Sequence, residues 1–160
     1  MKTPDLLDRM AAGVRAYVLI AAVVLAAALP GLTSLPPIDR DEARYVQATA
    51  QMLETGDFVQ IYNQDEPRHK KPIGIHWLQA AAVSLSTGPE AREVFAYRLP
   101  SLLGMMVAAW ATFGLGALLF GRGPALLGAG LFAGCLIAGF EARVAKTDAV
   151  LVATTMLALL

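Results

Sequence analysis

Three short clusters carry the groups that could do chemistry. They are Asp39-Arg40-Asp41-Glu42-Ala43-Arg44-Tyr45, Arg68-His69-Lys70-Lys71-Pro72, and Glu141-Ala142-Arg143-Val144-Ala145-Lys146-Thr147-Asp148. Each mixes cations with apolar neighbours, and the first and third add carboxylates. Such a set suits transfer from a lipid-linked phosphate at headgroup depth. A departing phosphate needs fixed Arg or Lys charges, and an attacking hydroxyl needs a positioned carboxylate. Arg takes phosphate oxygens bidentately and Lys binds them as a compact point charge. Exclusion of bulk water strengthens every one of these terms.

The rest of the chain argues for a membrane setting. Of its 160 residues 56% are hydrophobic and 16% charged, against roughly 45–50% and about 25% in an ordinary globular domain. Its 13 basic and 13 acidic residues cancel, which leaves no overall field to recruit nucleic acid. The single cysteine, Cys135, rules out a disulfide framework and a multi-cysteine zinc site. With two histidines, His69 and His76, no metal site is assigned; a divalent metal as cofactor stays open.

The charges are bunched, and the gaps between them have membrane dimensions. Ala16–Ile38, Leu99–Gly121 and Gly123–Phe140 carry no formal charge, and Ala149–Leu160 begins a fourth such run. A bilayer core of about 30 Å takes roughly 20 apolar helical residues. The expected fold class is therefore an all-α membrane protein, with polytopic transmembrane helices over 16–35, 98–120, 123–141 and 148–160. The last is cut off by the chain end. The first run exceeds the 7–15 residues of a signal h-region, so it reads as a retained helix rather than a cleaved signal. Gly128, Gly130, Gly134 and Gly139 suggest a close-packed helix face.

Between the first two spans lies an outer loop, 36–97, carrying interfacial helices. Twelve of the 26 charged residues fall between Ile38 and Pro72, interleaved with apolar ones. Asp39 with Glu42 resembles a capping box and Gly56 a helix stop, giving a helix from about Arg40 to Thr55. That helix would put Asp41, Arg44, Tyr45, Ala48 and Met52 on one face. Pro72–Pro89 reads as an interfacial helix with Trp77 at headgroup depth; a short transmembrane helix is the alternative. The choice matters. With the basic N-terminus inside, a non-crossing Pro72–Pro89 brings the Glu141–Asp148 cluster to the same outer face as Asp39–Lys71. A crossing one separates them.

The ordered series Asp41-Glu42-Ala43-Arg44-Tyr45, Met52-Leu53-Glu54-Thr55-Gly56-Asp57-Phe58, Lys71-Pro72 with Trp77, Tyr97-Arg98-Leu99-Pro100-Ser101-Leu102-Leu103-Gly104, and Leu119-Phe120-Gly121-Arg122 is similar to a known family. It resembles the polyprenyl-phosphate-dependent glycosyltransferases of the GT-C fold, in particular the aminoarabinose transferase and protein O-mannosyltransferase-like group. The resemblance runs from about Pro36 to the C-terminus. It implies Asp41 as the group that takes or orients the acceptor proton, and Asp148 as a second outer acid. It also implies Arg44 and Lys71 on the lipid phosphate; Lys70 and Tyr45 join them as donor-binding candidates, with Glu42 a candidate secondary acid. Implied partners are a polyprenyl-phosphate-linked sugar, a lipid, protein or glycan acceptor, and membrane lipids. The implied place is the plasma (inner) membrane, multi-pass, with the site facing the periplasm or exterior. Lys70 stands where aminoarabinose transferases usually carry Glu, so the resemblance implies the reaction class and not the sugar. The resembled enzymes are several times longer, and an N-terminal part inactive in isolation is expected.

Plainer readings stand beside these. Asp41 could complement the helix dipole, Glu42 could cap with Asp39, and Asp148 could cap the last helix. Lys70 and Lys71 could sit at phospholipid headgroups, and Tyr45 and Cys135 could be packing residues. His76 reads as structurally satisfied. A membrane transporter or flippase is the rival function, although it would place ionisable groups at mid-bilayer and these spans have none. A non-catalytic assembly subunit is the other.

Overall fold

Pro30 and Gly31 decide where the first apolar run stops being helix. Proline lacks the amide hydrogen that a continuing helix needs, and Gly31 adopts φ 85°, a left-handed backbone that glycine tolerates best. In the computed structural model, which describes residues 6–68 and 71–160, helix α2 therefore covers Val14–Ala28 and not 16–35. A short helix, α1 (Leu6–Met10), precedes it. Helix α3 (Arg40–Thr55) runs from an Asp39 cap to a left-handed Gly56. A two-stranded hairpin follows, β1 (Tyr62–Asn63) against β2 (Glu66–Pro67), and then α4 (Gly74–Ser86). The long α5 (Val94–Phe120) begins four residues before the expected 98. The expected 123–141 helix is divided at Cys135, whose backbone is extended, into α6 (Arg122–Gly134) and α7 (Leu136–Glu141). Helix α8 spans Asp148–Leu159.

The bundle is built from α2, α5, α6–α7 and α8, with small side chains at its seams. Ala16, Ile20, Val24 and Ala28 bury one face of α2, and Ala125, Ala129 and Ala133 bury one face of α6. Small seams let backbones approach. At Gly104 a Cβ would meet Ala149 and Val150 backbone atoms at 3.1 Å. At Gly139 it would meet Ala27 at 3.3 Å. Gly128 and Gly130, in contrast, face open space, so the expected glycine face does not form there.

Large apolar side chains point outward instead. Leu118, Leu131, Leu136 and Ile137 are 73–91% exposed, an arrangement that water disfavours and hydrocarbon does not. Among the described residues one helix, Val94–Phe120, is long and apolar enough to cross a membrane; Val14–Ala28 and Asp148–Leu159 are shorter apolar helices.

Chain direction fixes which loops meet. Arg122 Nε donates to Ala11 O at 2.7 Å, joining the α5–α6 turn to the start of α2. At the other end Arg98, near the start of α5, bonds carbonyls just past α2. Helices α2 and α5 are thus antiparallel, and the segment 36–97, α4 included, leaves from and returns to one end of the bundle. The α7–α8 loop reaches that same end.

Candidate functional site

The charged end is organised around Glu42. Both its carboxylate oxygens are used twice, and it is fully buried. Oε1 accepts from Arg98 Nε at 2.8 Å and from the Ala145 amide at 2.9 Å. Oε2 accepts from the Ile38 amide at 2.8 Å and from Arg98 Nη2 at 3.2 Å. Arg98 spends its remaining N–H groups on Leu32, Leu35 and Pro36 carbonyls at 2.7–3.0 Å. All four carboxylate lone pairs and all five guanidinium hydrogens are thereby matched. Burial pushes the Glu42 pKa up, but bonds from Arg98, Ala145 and Ile38 outweigh it and hold the carboxyl below its ordinary value. The candidate secondary acid is therefore locked in the interior, where no acceptor reaches it. It does take part in the helix start, by receiving the Ile38 amide while Asp39 receives that of Asp41 at 3.3 Å.

Lys146 joins the first and third clusters. Its Nζ lies 3.4 Å from Glu141 Oε1, 3.6 Å from Asp39 Oδ2 and 3.9 Å from Asp148 Oδ2. Partial burial lowers its pKa, yet the carboxylates of Glu141, Asp148 and Asp39 outweigh that and raise it, so it is an ammonium throughout the physiological range. Asp148 opens α8 and Asp39 opens α3. These two acidic segments, over 100 residues apart in sequence, sit at one end of the bundle.

Asp41 occupies the first turn of α3, half exposed, with its Oδ1 3.3 Å from Arg44 Nη1. Arg44 in turn lines a cleft of about 140 Å³ with Asn63, Glu66, Pro67 and Arg68. Lys71 is exposed and makes no ion pair among the described residues. Lys70 and His69 lie outside the described residues. Tyr45 is buried, and its hydroxyl is committed to Thr147 Oγ1 at 2.7 Å. That bond ties α3 to the residue before Asp148, so Tyr45 acts here through packing as much as through any ligand.

A polar cluster between α3 and α4 supports Tyr45. Its ring stacks on His76 at 5.4 Å, with the rings 26° apart. Thr49 Oγ1 is 2.7 Å from His76 Nδ1 and donates to Gln79 Oε1 at 2.7 Å. With that hydroxyl hydrogen given to Gln79, His76 Nδ1 is the donor to Thr49 Oγ1. Burial and, secondarily, the nearby Arg68 charge lower the His76 pKa to about 4. The sign follows. An unfolded histidine protonates below its ordinary 6.5, the folded one does not, so stability is full above about pH 6.5 and falls as pH drops towards 4. Replacing His76 by Gln should flatten this part of a stability–pH profile measured by denaturant unfolding in detergent. An unchanged slope between pH 6.5 and 4 would remove the assignment.

Three residues of this end escape a sequence reading. Arg98 looks like a charge bordering an apolar run, Lys146 like one cation among several, and Arg68 like the first residue of a basic cluster with no role of its own. The pairing Glu42–Arg98 bridges 56 positions, and nothing local announces it. The acidic positions flanking Lys146, five before and two after, were a usable signal.

The structure thus gathers carboxylates and guanidinium groups at one end of an apolar helical bundle. The chain belongs to the dolichyl-phosphate-mannose-protein mannosyltransferase family, whose model matches residues 70–160. These are GT-C-type membrane glycosyltransferases that use polyprenyl-phosphate-linked sugar donors. No curated protein and no solved structure matches the chain. The matched stretch holds Arg98, Lys146 and Asp148. Asp41, Glu42, Arg44 and Tyr45 precede it and are joined to it by the Glu42–Arg98, Glu42–Ala145 and Tyr45–Thr147 bonds.

Proposed function

We propose that this protein moves a sugar from a polyprenyl-phosphate donor to a lipid, protein or glycan acceptor at the outer face of the plasma (inner) membrane, which it crosses several times. Asp41 receives the acceptor proton. The acceptor oxygen bonds to the anomeric carbon from the side opposite the leaving group, and the carbon–oxygen bond to phosphate breaks. The electron pair leaves on the phosphate oxygen, facing Arg44 and Lys71. Asp148 supplies a second carboxylate toward the acceptor, its charge balanced by Lys146.

One observation carries the reading: Lys146 draws Asp39 and Asp148 to within 4 Å of a single ammonium, so both acidic segments belong to one charged surface beside Arg44. The outward apolar side chains of the bundle support the membrane setting, and the family supports the donor class. Membranes carrying the full-length protein should pass label from a polyprenyl-phosphate sugar into an acceptor fraction; failure with every such donor would refute the reading. Within it, Lys71→Glu should raise the donor KM by about tenfold, the loss of one charge-assisted contact. An unaltered KM would take Lys71 out of the donor site.

A further inference from the structure

The cleft between α3 and the hairpin is lined by two arginines, Arg44 and Arg68. Arg44 comes from α3. Arg68 follows β2, and its amide extends the ladder by donating to Ile61 O at 2.7 Å. Gln51 clamps the hairpin to α3, giving its side-chain N–H to Gln64 O at 2.8 Å and accepting from the Gln64 amide at 3.0 Å. The gap this leaves is about 140 Å³, several times the roughly 10–15 Å³ that a single water needs on this measure. That is room for a tetrahedral anion.

Arg68 itself lacks a counter-charge. Arg44 has Asp41, whereas Arg68 forms no ion pair among the described residues, and its Nε is buried without a hydrogen-bond partner. Its guanidinium is nonetheless held in place, with Cζ 5.6 Å from the Tyr45 ring centroid. Behind Tyr45 stand His76, Thr49 and Gln79, all neutral. A half-buried, unpaired cation lining the same cleft as another cation is costly unless an anion joins them. Glu66 on the rim is exposed and also unpaired among the described residues.

We propose that Arg68 is a second phosphate-binding cation, which with Arg44 clasps the phosphate of the donor lipid. This rests on the donor reading above. A sugar phosphodiester carries one negative charge and the departing polyprenyl phosphate nearly two, so a guanidinium here favours the state in which charge has developed. The planar fork matters. Arg can sit on Tyr45 and still offer paired hydrogens to two phosphate oxygens, which Lys cannot.

The test is equilibrium binding of geranyl phosphate to the full-length protein in phosphatidylcholine nanodiscs, with geraniol and inorganic phosphate alongside. Arg68→Gln should weaken geranyl phosphate binding by about 10- to 100-fold and leave geraniol binding unchanged. Arg68→Lys should recover only part of the loss, and it decides the matter if the Gln variant does not fold. Wild-type affinity in both variants, with Arg44→Gln weakened, would overturn the role of Arg68 and leave the donor reading standing. Failure of the wild type to bind geranyl phosphate would overturn the donor reading. If phosphatidylglycerol nanodiscs abolish the dependence on Arg68, the residue binds headgroups and the proposal falls.

Discussion

Glu42→Ala is expected to destabilise the protein by about 3–5 kcal/mol, the range for removing one partner of a buried ion pair. The size follows from what is left behind. Arg98 would stay inside with three carbonyl acceptors and no opposing charge, while the amides of Ile38 and Ala145 would lose their acceptor. Glu42→Gln should be nearly as damaging although it keeps the shape. Its amide nitrogen would turn two acceptor sites into donors facing N–H groups, whichever way it is flipped. A paired replacement, Glu42→Leu with Arg98→Met, should cost clearly less than the sum of the single changes, because no charge is then stranded. Unfolding in detergent micelles by denaturant measures each of these variants. Acid should imitate the single change. With the Glu42 pKa depressed, the pair's contribution is full above its ordinary 4.5 and declines as pH falls through the lowered value. Single variants within 1 kcal/mol of wild type would mean that the pair does not hold this end together.

The damage should also reach the site. Glu42 fixes Ile38, hence the start of α3 with Asp39 and Asp41, and it fixes Ala145, hence Lys146 and Asp148. One buried carboxylate thus sets the register of two acidic segments without touching anything that could react.

What could be read from the sequence was whatever is encoded locally. Helix α3 begins at an aspartate and ends at a glycine, and those signals act within a turn or two. The early end of α2 at Pro30-Gly31 is local as well, but an uncharged run masked it. Hydropathy counts residues that lipid accepts and is blind to whether their backbone is helical. The break at Cys135 is of the same kind: nothing in Gly123–Phe140 interrupts the apolar pattern. The glycines misled for another reason. A glycine shows that two backbones can approach, not that they do, and Gly104 and Gly139 are approached where Gly128 and Gly130 are not. Arg98 was hidden most deeply. A charge at the border of an apolar run normally turns to water, and only the distant Glu42 and three carbonyls of the loop after α2 make the interior tolerable.

Asp41→Asn should lower sugar transfer by about 10²- to 10⁴-fold, the usual contribution of a positioned proton acceptor, with donor affinity changed only a few-fold. Two readings of this residue predict very different magnitudes. As a structural residue Asp41 complements the helix N-terminus and pairs with Arg44 at 3.3 Å, both side chains being 40–48% exposed. A pair that wet is worth about 0–1 kcal/mol, and the dipole term adds some 0.3–1 kcal/mol. Losing both would shift stability slightly and leave turnover within a few-fold of wild type. Asparagine keeps the size and polarity of the side chain but cannot take a proton from an acceptor hydroxyl. The large loss therefore follows only if that proton goes to Asp41. Freed from its partner, Arg44 remains beside the cleft it lines with Arg68, so on the proposed donor role donor binding should survive the substitution. Initial rates and donor KM, measured together on the purified full-length protein, separate the cases. Transfer retained within threefold assigns Asp41 to helix capping and moves the proton acceptor elsewhere on this charged surface, with Asp148 the next residue to replace.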